Sequence, residues 1–233
     1  MSLNPFATVS DYPSMLNKIS TYTFFVAVFA LALIYWQVPA FRHWMPAMQF
    51  KIPETDVQAP ATVLLVAFLF AFLSRLVKLH DRLSDLFGIR RHFDVESILM
   101  PMAVASGATL SLEQQKTLRA KRIALMTNIF YKYASSSPGK AVIEQHAITM
   151  ALDQWSWYWI CVEAAFVLFV TSVVLAAAGK WSVAFLLVVS VLATIWLLQA
   201  IRPLCQRYAL DEARQILDDQ IRAAAVREQF LAL

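Results

Sequence analysis

Long stretches without a charged side chain set the pattern of this chain. From Ile19 to Phe41, between Lys18 and Arg42, no residue carries a charge, and the centre, Tyr22 to Trp36, is almost wholly apolar. At about 1.5 Å per residue, a hydrocarbon core of about 30 Å needs roughly 20 such residues, so this run predicts a membrane-spanning helix. Val57 to Ser74 is also free of charge and ends at Arg75. It is short, but flanking residues can snorkel, and it predicts a second span. Gln154 to Gly179 holds one charge, Glu163, and Trp181 to Ile201 holds none. With only Gly179 and Lys180 between them, these two runs predict a tight helical hairpin. The expected class is an all-α membrane protein: four transmembrane helices with a helical cytoplasmic domain between helices 2 and 3. In order, the chain reads as an N-terminal segment 1–20, a span 21–38, a loop 39–56, a span 57–75, a helical domain 76–153, spans 154–178 and 181–201, and a C-terminal helix 202–233.

The polar stretches carry shorter signals. Leu76, Leu79, Leu83 and Leu86 keep a 3-4 spacing up to Gly88, which predicts that the second span continues as a stiff stalk. Asp94 reads as the cap of a short helix that Pro101 kinks or ends. Ser111 with Gln114 three residues later reads as a capping box opening a helix to about Ala134. Ser135 to Gly139, SSSPG, is the clearest loop, and from Lys140 a helix is expected to run unbroken into the third span. In the tail, Leu210, Leu217, Ala224 and Leu231 recur every seven residues, with Ala213 and Ile221 near the same side. That pattern predicts an amphipathic or coiled-coil helix, packed on its own domain or on a second subunit.

Composition agrees with a lipid setting, since hydrophobic residues make up 59% of the 233 and charged ones 15%, against about 25% charged in soluble domains. The first run is long, follows a polar stretch with Asp11 and Lys18, and lacks a small-residue cleavage site, so it is expected to be an anchor and not a cleaved signal. The net charge of +4 matters less than its placement. Of the 20 Lys and Arg, all but Arg42, Lys51 and Lys180 fall on one side of the expected spans. That side is then expected to be cytoplasmic, with both termini and the central segment, in a multi-pass membrane protein.

Three constellations could carry chemistry. Glu163 is the one acidic or basic residue within the four apolar runs, roughly 12 Å along the helix from Trp155. A carboxylate in lipid is costly, so it marks an ion path, or a ring of carboxylates in a homo-oligomer, unless a Ser, Thr, Tyr or Trp of the bundle satisfies it. Trp155, Trp157 and Trp159, with Tyr158, sit where the third span enters the membrane and form an interfacial belt or a gate. Between Arg75 and Lys140 eleven basic residues face only Asp81, Asp85, Asp94, Glu96 and Glu113. Among them Arg90, Arg91, Lys116, Arg119, Lys121 and Arg122, near Tyr131 and Tyr133, are the candidate ligand-binding set. Such a surface suits anionic lipid headgroups, a phosphorylated nucleotide or oligonucleotide, or a protein partner.

Other chemistry is not indicated. Cys161 and Cys205 read as reduced thiols, and His43, His80, His92 and His146 are scattered without zinc-site spacing, so no metal and no cofactor is expected. There is no GxxxxGK[ST], GxGxxG or GxSxG, and 4 Gly are too few to build such loops. An enzyme is not expected.

The segments FGIRRHFDVESILMPMA (87–103) and FYKYASSSPGKAVIEQHAITMALDQWSWYW (130–159), set in this four-span layout, resemble the transmembrane effector of the Hailong anti-phage system. The resemblance implies a homotetrameric channel held closed by an oligonucleotide from a partner nucleotidyltransferase and opened on infection to depolarise the membrane. The layout is also similar to the membrane subunit of the Kiwa system, which implies a non-conducting sensor or scaffold that recruits a cytoplasmic partner. The expected function is therefore a homo-oligomeric, ligand-gated, channel-like effector in the lipid bilayer, with the sensor as its alternative.

Overall fold

The computed structural model describes residues 8–44, 49–51, 58–136 and 142–233. It is helical apart from one short ribbon. The elements are α1 (Tyr12–Gln37), α2 (Pro39–Trp44), β1 (Gln49–Lys51), β2 (Gln58–Pro60), α3 (Ala61–Leu76), α4 (Leu79–Leu86), α5 (Ile89–His92), α6 (Met100–Ala105), α7 (Leu112–Ala120), α8 (Arg122–Leu125), α9 (Gln145–Ala177), α10 (Trp181–Leu217) and α11 (Gln220–Leu231). Two π-helical turns, Phe93–Leu99 and Met126–Tyr131, follow α5 and α8. β1 and β2 pair antiparallel with Gln49 opposite Pro60.

Three helices, α1, α9 and α10, are long and apolar enough to cross a membrane. The second expected span, 57–75, differs. Its first residue, Val57, lies outside the described residues, Gln58–Pro60 is extended, and α3 has 16 residues. It reaches spanning length only together with α4, from which it is bent by 62°. The stiff stalk is therefore not formed. Lys78 takes a left-handed conformation with φ 50°, which a 3-4 leucine spacing does not reveal because the pattern resumes in phase after the break.

The chain forms two compact units. The apolar unit contains residues 16–80 and 156–200. Its helices bury small residues and expose large ones: α3 turns Val63, Ala67, Ala71 and Ser74 inward and leaves Leu65, Phe68, Phe72 and Leu73 outside. α10 likewise buries Ala184, Leu187 and Val191 and exposes Phe185, Leu186, Leu192 and Trp196. Small residues let backbones approach where lipid removes any hydrophobic drive for association, and the large apolar exterior suits hydrocarbon. At one end Ile34 of α1, Leu175 of α9, and Ala184 and Leu187 of α10 form a common core. The predicted hairpin is present: Gly179, at φ 74°, closes α9, and the Lys180 amide donates to Leu175 O at 2.8 Å.

The polar unit contains residues 8–15, 81–155 and 201–233. Gly88 (φ 64°) stops α4 as expected, and Ser111 and Gln114 make the reciprocal capping box of α7. The helix expected to reach Ala134 is interrupted at Lys121 and widens into a π-turn. Asp94 is not a cap. It lies buried inside the first π-turn, where the Met100 amide donates back five residues to Val95 O. Pro101 follows directly at the start of α6. A proline has no N–H and collides with the carbonyl four residues back, and a widened turn accommodates both defects.

Lys140 and Ser137 to Gly139 lie outside the described residues, and α9 begins only at Gln145. The sevenfold tail is also corrected, because α10 ends at Leu217 and α11 restarts after Asp219, whose carboxylate accepts from the Arg222 amide at 2.9 Å. Arg222 donates to Gln215 O and Ile216 O, both at 3.0 Å, satisfying the carbonyls at the end of α10. The buried positions are Ala209, Ala213, Ile216, Val226 and Phe230, whereas Ile221 is 82% and Leu231 50% exposed.

The bend yields a first prediction. A non-glycine residue at positive φ costs about 1 kcal/mol or more, so Lys78→Gly should raise the thermal unfolding midpoint of the detergent-purified protein. A lowered midpoint would mean that the Lys78 side chain, and not its backbone, secures the bend.

Candidate functional site

Glu163 lies on α9 in the apolar unit and is 2% exposed. Three segments supply its neighbours. Thr23 Oγ1 of α1 lies 2.5 Å from Glu163 Oε2, Ser74 Oγ of α3 donates to Oε2 at 3.3 Å, and His80 Nδ1 of α4 lies 3.6 Å from Oε1. All three partners are buried. Every group around the carboxylate is thus a neutral hydroxyl or a titratable imidazole, and none is a lysine or arginine. Sequence reasoning anticipated Ser and Thr partners for Glu163 but missed His80. The signal was the position of His80 just past the apolar run, six residues beyond Ser74 and five beyond Arg75.

The three candidate tryptophans, Trp155, Trp157 and Trp159, each meet another ring within their own unit. In the apolar unit Trp157 stands edge-on to Tyr22 with Lys18 Nζ 4.2 Å from its ring, and Trp159 is buried beside His80. In the polar unit Trp155 meets Phe93 edge-on at 4.3 Å.

The six basic candidates are placed unevenly. Arg122 pairs with Asp94 at 2.9 Å, Arg90 with Asp81 at 3.0 Å, Arg119 with Glu96 at 3.1 Å and Lys116 with Glu113 at 2.8 Å. Arg91 and Lys121 are exposed. Around Arg90 the structure gathers Asp81, Asp94 and Tyr131; Asp94 is buried, while Arg90 and Tyr131 stay partly exposed. Burial disfavours the charge on Arg90, but Tyr131, Asp94 and Asp81 outweigh that and hold the guanidinium charged. Burial pushes the Asp94 carboxyl up against the opposing pull of Arg90 and Arg122. Burial and the charge of Asp94 push the Tyr131 hydroxyl up as well, with a contribution from Glu212. A separate cleft of about 450 Å³ is lined by Glu144, His146, Tyr208, Asp211 and Arg214 among others, with two acids against one arginine, and Arg214 is already held by Asp211 at 3.3 Å. Among the described residues no cluster of His, Cys, Asp or Glu is disposed to hold a metal.

α10 has 37 residues and is therefore about 55 Å long, nearly twice a hydrocarbon core. Its part beyond Ile201, carrying Arg202, Arg207 and Glu212, extends past any span that starts at Trp181. There Glu212 is 6% exposed, and burial pushes its carboxyl up to about 8.

Two outcomes follow from these buried acids. Arg122→Ala leaves Asp94 without its nearest counter-charge and should cost about 3–5 kcal/mol of stability, as measured by chemical denaturation, while replacing both by apolar residues of similar size costs far less. For Glu212, the unfolded chain ionises near the ordinary carboxylate value while the folded protein still holds the proton. Stability therefore falls as pH rises from about 5 to about 8 and levels off above. Thermal unfolding across that range should show the decline, and Glu212→Gln should flatten it.

No curated protein and no solved structure matches the chain significantly. A family model does match, over residues 11–228, covering α1 to most of α11 and therefore both units. The chain belongs to the YmfE protein family.

Proposed function

We propose that the protein is an ion-conducting effector of the bacterial inner membrane, with four spans, both termini in the cytoplasm and Glu163 on its ion path. The observation that carries this reading is the enclosed Glu163 carboxyl among Thr23, Ser74 and His80. An ionisable group at membrane depth is costly, and apolar packing would hold the helices together at least as well. Its retention points to a task that needs a carboxyl. Because Glu163 is enclosed within the bundle of one chain, the ion path runs through that bundle, and a homo-oligomer multiplies paths instead of building one central carboxylate ring. The α3–α4 pair supplies the remaining span, and the uneven distribution of Lys and Arg supplies the orientation. The defence setting, the homotetramer and gating by an oligonucleotide from a partner nucleotidyltransferase rest on the likeness of segments 87–103 and 130–159 to the Hailong-type effector.

The engagement of Arg90, Lys116, Arg119 and Arg122 by acids favours a second reading, because it leaves Arg91 and Lys121 as the freer cations of the candidate set. In that reading the protein is a non-conducting sensor or scaffold whose polar unit recruits a cytoplasmic partner, as the Kiwa-type layout implies.

Membrane potential in expressing cells, followed with a voltage-sensitive dye, separates the two. Wild-type protein should depolarise the cells and Glu163→Gln should spare them. Equal depolarisation by both removes Glu163 from the path, and a wild type that never depolarises overturns the channel and leaves the sensor.

A further inference from the structure

Building on the channel reading, we propose that the ion handled at Glu163 is the proton and that His80 is its exchange partner. Thr23 has one hydroxyl hydrogen but two acceptors in reach, Glu163 Oε2 at 2.5 Å and Ile19 O at 3.0 Å. An ionised carboxylate competes with the carbonyl for that hydrogen. A carboxylic acid resolves the competition, because it donates its own proton to Oγ1 and leaves the Thr23 hydrogen for Ile19 O. The 2.5 Å contact is at the short end of O–H···O bonds, whichever of the two oxygens carries the hydrogen. The site therefore has a built place for a proton on Oε2, with Ser74 as a further donor to the same oxygen when that proton leaves.

The same geometry does not suit a metal cation. Hard cations collect six or more oxygens. Here the side chains offer two carboxyl oxygens and the hydroxyls of Thr23 and Ser74, two of which sit at hydrogen-bonding distance from each other instead of around an ion. On the other carboxyl oxygen, Oε1, the nearby group is the imidazole Nδ1 of His80 at 3.6 Å. That is longer than a hydrogen bond and within ion-pair reach. The exchange step starts from ionised Glu163 with Thr23 and Ser74 donating to Oε2: the proton on His80 Nδ1 passes to Oε1, imidazolium and carboxylate become neutral imidazole and carboxylic acid, and rotation of the carboxyl brings that proton to the Thr23 side. No other bond changes. Acid–imidazole chains of this kind are how membrane bundles move protons.

Of the other titratable groups of the apolar unit, His43 and Lys78 are exposed and Lys180 lies at the hairpin turn beyond α9, 17 residues from Glu163. On α1, Lys18 and Tyr22 pack on Trp157, and Tyr35 faces Arg42. On α3, Arg75 is hydrogen-bonded to Asn17. α9 adds Tyr158 and Cys161, and Trp181 to Ala200 of α10 contains no acidic or basic residue. Histidine 80 is the one basic group that reaches the carboxyl among the described residues.

Two measurements on the full-length protein decide. In liposomes loaded with a pH-sensitive dye, a potassium diffusion potential should drive proton entry with wild type, and Glu163→Gln and His80→Gln should fall to the rate of protein-free vesicles. Infrared difference spectra taken across pH should show a carboxylic-acid C=O band that disappears in Glu163→Gln and shifts its titration in His80→Gln. Sodium or potassium flux without proton flux overturns the proton assignment and leaves the channel standing. A titrating band without any flux supports the Glu163–His80 pair and overturns the channel. Absence of a titrating band that depends on Glu163 overturns the pair whatever the flux.

Discussion

The apolar unit is organised by one requirement: a carboxyl buried in a bundle of long apolar helices must find polar partners without leaving it. Meeting it ties together parts of the chain far apart in sequence, since Thr23, Ser74 and His80 converge on Glu163. It also accounts for the bend at Lys78. In a straight helix Ser74 and His80 would lie about 9 Å apart along the axis and about 120° apart around it, too far for both to reach one carboxyl. The 62° turn between α3 and α4 removes that separation, and the left-handed residue at the turn is the local cost of doing so. A regular stalk would have been cheaper for the backbone but would have carried His80 away from Glu163.

Small residues make this convergence possible. Ala67 and Ala71 precede Ser74 on the buried face of α3, and Ala27 and Ala30 follow Thr23 on α1. Side chains of one methyl group bring the helix backbones close, so that short Ser and Thr side chains can span the remaining gap to a glutamate. Larger apolar residues at those positions would hold the helices apart and strand the carboxyl. The packing of the bundle and the chemistry of the site are therefore one constraint seen at two scales.

What could be read in the chain follows the range of each interaction. The long apolar helices of the first, third and fourth runs, the Gly179 turn and the Ser111–Gln114 capping box depend on neighbours within a few residues, and the structure forms them, whereas the helix of the second run is broken at Lys78. The partners of Glu163 lie 89 and 140 residues away, and hydroxyls inside an apolar run carry no mark of which one faces an acid. The basic segment misleads for the same reason, since Arg119 and Arg122 find their acids 23 and 28 residues away, on an element that a linear charge count does not place beside them. The tail shows the opposite failure. Its heptad spacing is real as a pattern, but the break at Asp218 and Asp219 resets the helical phase, so residues in one register end on different faces.

The buried acids of the two units also show how structure can be separated from chemistry. Asp94 is answered by guanidinium groups, whose charge is permanent, so the pair has one stable state and acts as a fastening. Glu163 is answered by hydroxyls that can either donate or accept and by an imidazole that can either hold or lose a proton. Such a shell accommodates the carboxyl in both of its states. A fastening at membrane depth would be strongest with an arginine opposite the acid, and Arg75, one residue from Ser74, turns instead to Asn17. With Arg75 directed elsewhere, the groups that meet Glu163 among the described residues are two hydroxyls and an imidazole, a shell that contains no fixed counter-charge.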